Sequence, residues 1–249
     1  MATASTNKDD PRAFPATMWT ALLAARDPDA PDAVAARNEV CKAYWRPVYS
    51  YLQSLGFPHA EAEDVTQTVL SYFCHSGWMA RVDREKGRLR HFLKATARHA
   101  LYNFRRDGGA MKRGGGVSEL PLDEMSDAET PADDAPSEAV FDRQWAWTVF
   151  DRAMRVLEES YALRGKAALL EALKPSLISS DSVQRCAEIG SQFGVKEPQI
   201  RIEIHRLRRR LAERLRAEVA ATLGPASTPT EVEAETRYLV QILAHERTA

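Results

Sequence analysis

Residues Cys186 to Arg216, CAEIGSQFGVKEPQIRIEIHRLRRRLAERLR, restrict the fold more than any other stretch of this chain. They read as a helix, a tight turn and a second, cationic helix. Ala187, Ile189 and Phe193 predict a buried side for the first helix, and Gly194 supplies the permissive backbone that a helix C-terminus needs. Val195 fills the turn. Pro198 falls in the first turn of the next helix, where its missing N–H costs little, and Ile200, Ile204, Leu207 and Leu211 recur at helical spacing. The other sides carry Gln199, Arg201, His205, Arg206, Arg208, Arg209 and Arg210. Such donors on the N-terminal half of a helix suit the DNA major groove, where Arg and Gln read base edges and further arginines hold phosphates. The same spacing also fits an amphipathic helix with a solvated basic face. The helix and turn in front of it favour the DNA-reading alternative.

Charge segregation extends the argument to the rest of the chain. The formal net charge of the 249 residues is only −1. Yet Arg81 to Arg113 is heavily basic, Val117 to Glu138 holds acids and no Lys or Arg, and Arg201 to Arg216 is basic again. Partner choice follows these local fields. With 44% hydrophobic and 28% charged residues the composition is that of a globular protein long enough for two modest domains. No apolar run is long enough to span a bilayer, and Met1 to Phe14 lacks the apolar core of a signal peptide, so the expected location is cytoplasmic. Cys41, Cys74 and Cys186 are too few and too scattered for a disulfide framework, and none makes a C-x-x-C pair.

In chain order, Trp19, Leu22 and Leu23 form a short amphipathic piece between polar stretches. From Ala35, Val40, Tyr44, Val48, Tyr51 or Leu52 and Leu55 have helical spacing up to Gly56, with Pro47 predicting a kink or a break. Pro58 opens a helix whose buried side is Ala62, Val65, Val69, Tyr72 and Phe73, with Asp64, Gln67 and Ser71 together on the opposite side. After a polar loop, Leu89, Phe92, Leu93, Thr96, Ala100 and Phe104 line one side of a further helix. Arg90, Lys94, Arg98, Tyr102 and Arg105 gather on the other. A basic face with an aromatic residue can hold a phosphate backbone and offer a stacking surface to an unpaired base, and the same residues fit equally well an exposed cationic face with Tyr102 partly packed. His91 and His99 are too far apart for one metal site, and neither a metal nor a cofactor is expected.

Gly108 to Ser137 reads as a tether, because few of its residues can offset the entropy of ordering. Its acids can lie across either basic face. A helix resumes at Ala139 with Val140, Trp147, Phe150, Met154 and Leu157, and another runs through Leu169, Leu170 and Leu173 to Pro175. Asp181 and Gln184 are spaced as a capping box, as are Thr230 and Glu233 ahead of a last amphipathic helix carrying Val232, Tyr238, Leu239, Ile242 and Leu243. The expected fold is all-α: a helical domain over residues 14–106, a flexible acidic linker over 107–138, a second helical domain over 139–223 ending in the helix-turn-helix, and a C-terminal extension over 224–249.

This layout resembles the extracytoplasmic-function group of bacterial RNA polymerase sigma factors. Ala62-Glu63-Asp64-Val65-Thr66-Gln67 is similar to the family's A-E-D-L-x-Q stretch, with Thr68 and Leu70 where an acid and an aromatic residue usually follow. Leu89 to Arg106 is similar to the family's minus-10 helix: Phe92-Leu93, Ala97-Arg98 and Arg106 match, while His99 and Asn103 replace the usual Asn and Asp. The most specific match is Ala187-Glu188-Ile189-Gly190 through His205-Arg206-Leu207-Arg208-Arg209-Arg210-Leu211, similar to the minus-35 reading unit. The resemblance implies a protein that performs no chemistry itself. It would dock on core RNA polymerase through Asp64, Gln67 and Ser71. It would read duplex promoter DNA with the second basic helix and capture the unpaired non-template strand with Arg90, Lys94, Arg98, Tyr102, Asn103, Arg105 and Arg106. It leaves room for an anti-sigma factor. A stand-alone helix-turn-helix regulator is the main rival. An enzyme would need a carboxylate cluster or a nucleophile with its base on ordered elements, and the sequence offers neither.

Overall fold

The computed structural model describes residues 33–75, 93–100, 135–177, 183–223 and 227–245, and among these every regular element is helical. Helix α1 (Ala33–Ser54) buries Val40, Tyr44, Val48, Tyr51 and Leu52, the stripe expected from the sequence. Pro47 does not break it. The proline is itself buried within the helix, where core contacts of Tyr44 and Val48 on either side offset the missing hydrogen bond. The chain then turns at Gly56, whose φ of +97° only glycine adopts without strain, and enters α2 (His59–His75). Ala62, Val65 and Val69 are buried as predicted, joined by Leu70 and by Thr66, whose hydroxyl donates to the Ala62 carbonyl at 2.6 Å.

A helical stretch over 93–100, here α3, sinks Leu93 and Ala97 fully into the same core. Helix α4 (Ala135–Ala162) begins inside the segment read as a linker. Ser137 donates to the Ser54 carbonyl at 3.2 Å, and Phe141 meets Tyr51 edge to face with centroids 5.9 Å apart, so α4 lies along α1. Its most buried stripe is Phe141, Trp145, Val149, Ala153, Leu157 and Tyr161. Val140, Trp147 and Phe150, chosen from periodicity, sit on the half-buried shoulder. One hydrophobic cluster therefore runs through helices on both sides of the acidic segment.

Helix α5 (Ala167–Leu173) and a 3-10 turn (Lys174–Leu177) lead to α6 (Val183–Phe193) and α7 (Glu197–Leu223). The last helix, α8 (Pro229–His245), packs on α7 and α4 with Leu239 fully buried, so the surface it covers belongs to this chain. Its capping box lies two residues earlier than predicted. Glu231 accepts the Thr228 N–H at 2.7 Å while the Thr228 hydroxyl takes the Glu231 N–H at 3.3 Å. Pro229 fixes the first helical position and so sets Thr228 as the cap. Glu233 pairs instead with Arg216 of α7 at 3.1 Å. Asp181 lies outside the described residues, and so do Trp19, Leu22 and Leu23. Among the described residues no helix is long and apolar enough to cross a membrane.

Candidate nucleic-acid interface

The helix, turn and helix over Val183–Leu223 are built by close backbone approach. Helix α6 buries Cys186, Ile189 and Gly190 and packs Phe193 half-buried on the core, so the predicted side holds at Ile189 and Phe193 while Ala187 faces solvent. Gly194 ends it with a φ of +65°, and the Val195 N–H closes back on the Gly190 carbonyl at 2.8 Å, a glycine-ended helix stop. A Cβ at Gly190 would overlap the Val195 carbonyl oxygen, so this position admits only glycine without displacing backbone. Helix α7 then starts with Glu197, favourably placed at a helix N-terminus. The Gln199 side-chain oxygen reaches back to the Lys196 N–H at 3.3 Å.

Helix α7 is held by Ile200, Ile204, Leu207, Leu211, Leu215 and Val219. Glu203, on its shoulder, accepts a 2.8 Å hydrogen bond from Tyr161 of α4. Burial first, and the Glu203 bond second, push the Tyr161 phenol up to about 12. Gln199, Arg201, His205, Arg206, Arg208 and Arg209 are exposed, and Arg210 is half-buried. Several of them have partners within the chain. Arg201 pairs with Glu197, Arg206 approaches Glu203 at 4.0 Å, and Arg209 meets Glu213 at 2.9 Å. Pairs this exposed contribute little and exchange readily for a phosphate. Arg208 differs: its Nε and Nη2 both donate to the Ser176 carbonyl, at 3.1 and 2.5 Å, so it fastens α7 to the 3-10 turn.

The basic face of α3 is turned inward where it is described. Lys94 is only 4% exposed, and its Nζ lies 2.9 Å from Asp142 Oδ1, 3.3 Å from Glu138 Oε2 and 5.5 Å from the Phe141 ring centroid. Arg98 Nη2 meets the other Glu138 oxygen at 2.7 Å. From the far side the Tyr238 hydroxyl of α8 donates to Asp142 Oδ2 at 2.8 Å. The predicted open cationic face thus meets α4 at these two residues, because the helix starts early enough to bring Glu138 and Asp142 opposite them. Arg90, Tyr102, Asn103, Arg105 and Arg106 lie outside the described residues.

On α2, Asp64, Gln67 and Ser71 are all exposed on one face, opposite Ala62, Val65 and Val69. Sequence reasoning missed Ile202, which projects 50% exposed from the middle of the cationic stretch of α7. It also missed the Glu138 and Asp142 pair, whose four-residue spacing matches that of Lys94 and Arg98. Among the described residues there is no cluster of His, Cys, Asp or Glu able to hold a metal ion. Comparison with protein-family models, with curated proteins and with solved structures finds no match.

Proposed function

We propose that this chain is an RNA polymerase sigma factor of the extracytoplasmic-function type, working in the cytoplasm, with a core-binding first part and a second part ending in a helix-turn-helix. The observation that carries the reading is α6 and α7, locked at a right-sized turn by Gly190 and Gly194, with α7 presenting an exposed cationic face from its first turn onward. The docking surface for core polymerase is the exposed Asp64, Gln67 and Ser71 face of α2. Duplex upstream DNA meets α7, where Arg206 and Arg209 exchange weak internal pairs for contacts with the DNA. Arg208 serves the fold more than the DNA, because Ser176 holds it.

The inward-facing Lys94 and Arg98 favour one competing reading, a regulator that binds duplex DNA alone and never engages an unpaired strand. One experiment separates the two. The sigma reading expects co-purification with core RNA polymerase and promoter-dependent initiation in a reconstituted reaction. A stand-alone regulator binds duplex DNA and fails both.

A further inference from the structure

We infer that Ile202, with His205, forms the base-reading crest of α7, and that Ile202 meets the C5-methyl group of thymine in duplex DNA. This rests on the reading of α7 as a major-groove helix. At about 100° per residue, Pro198, Ile202, His205 and Arg209 lie directly opposite the buried stripe of Ile200, Ile204, Leu207 and Leu211. Arg201 and Arg208 fall on one flank of that crest, and Gln199 and Arg206 on the other. A helix laid in the groove with its core face outward puts its crest against base edges and its flanks against the two phosphate backbones.

The crest begins apolar, with Pro198 followed by Ile202 at 50% exposure. On its flanks Gln199 caps its own helix and Arg208 is clamped on Ser176, while Arg201, in a weak exposed pair with Glu197, is placed for a phosphate. An exposed branched side chain here has one apolar complement on the floor of the major groove, the thymine methyl group. His205, one turn further along, supplies an N–H for a purine acceptor beside it.

The test uses the full chain, alone and with core polymerase, to select binders from a randomised duplex library. In the selected site each thymine is then replaced by deoxyuridine. Loss of one buried methyl group should weaken binding about four-fold at one or two adjacent positions. Ile202→Ala should abolish that penalty there, leave the thermal midpoint unchanged and retain the penalty of any base change read elsewhere. If no thymine responds to loss of its methyl group, or if Ile202→Ala keeps the full deoxyuridine penalty, the inference is overturned while the function stands. If neither form of the protein selects any duplex sequence, the major-groove reading of α7 falls and takes this inference with it.

Discussion

Removing Lys94 should loosen α3 from α4, because its ammonium faces both Glu138 and Asp142 from inside the fold. Deleting one partner of a buried pair typically costs about 3–5 kcal/mol. In Lys94→Met, Asp142 keeps its hydrogen bond from Tyr238 and Glu138 keeps Arg98, which places the expected loss near the low end, about 3 kcal/mol. Asp142→Asn still accepts from Tyr238 and leaves Lys94 beside Glu138, so about 2 kcal/mol is expected. The double variant removes both charges and should lose no more than about 3 kcal/mol in total, giving a coupling of about 2 kcal/mol, within the range for residues in contact. Urea unfolding of the four proteins, with slopes that agree, measures this. The coupling should survive 1 M salt, where the screening length is about 3 Å, because water and ions do not reach a 5% exposed side chain. Additive losses, with coupling below about 0.5 kcal/mol, would refute the claim that Lys94 and Asp142 hold each other.

Gly190→Ala should cost about 1–3 kcal/mol, since its Cβ meets backbone at Val195, and should weaken duplex binding in parallel; calorimetry and a gel-shift assay together check it. The Tyr161 phenol holds its proton to about 12 when folded, against an ordinary value near 10, so its contribution to stability is complete below pH 10 and is lost as pH rises toward 12. Tyr161→Phe should therefore flatten the alkaline fall in unfolding free energy, and an unchanged slope would remove that assignment. Lys174, raised by its 2.6 Å bonds to Glu158 and Glu171, acts in the same direction on the alkaline side. Glu138→Gln with Asp142→Asn should remove the α4 carboxylates facing Lys94 and Arg98 and steepen the salt dependence of single-stranded DNA binding by up to about 1.4 in log–log slope, two phosphates at about 0.7 each. Fluorescence anisotropy with an oligothymidylate measures it, and an unchanged slope excludes those two cations as strand contacts.

Periodicity located the helices well where one face alone is buried. Helix α1 and the buried stripe of α7 fall where the apolar spacing puts them, and Pro47 failed as a breaker only because its surroundings are core on both sides. It located faces less well where two sides are buried. Helix α3 sinks Leu93 and Ala97 on one side and Lys94 on another, and a pattern of charges does not say whether a cation faces water or a carboxylate. The matched spacing of Lys94 and Arg98 with Glu138 and Asp142 was present in the sequence, but pairing them required knowing that α4 starts at Ala135. The acidic segment reads as a tether for want of apolar residues, and its last acid, Glu138, lies against both cations of α3, as the charge segregation allows. Ile202 was invisible for the opposite reason. An isoleucine in a helix reads as core by default, and only its place opposite Ile200, Ile204 and Leu207 shows that it faces out.

The two cationic elements are joined by one helix. Helix α4 holds Lys94 and Arg98 near its first turns through Glu138 and Asp142, and holds α7 near its last turn through Tyr161 and Glu203. Asp142 and Tyr161 are nineteen residues apart, about 29 Å along a helix at 1.5 Å per residue. Arg152, between them, adds a 3.1 Å pair to Glu218 of α7 and lies 3.9 Å from Glu39 of α1. A movement of α4 large enough to release Lys94 therefore disturbs the Tyr161 and Arg152 anchors of α7, since a packed helix shifts as a unit rather than bending at each contact. Helix α8 adds to the load by way of Tyr238, so α3 and α8 bear on the same carboxylate, Asp142 of α4. Helix α4 thus carries contacts to both cationic elements, and a partner that displaces it would act on the α3 cations and on α7 together.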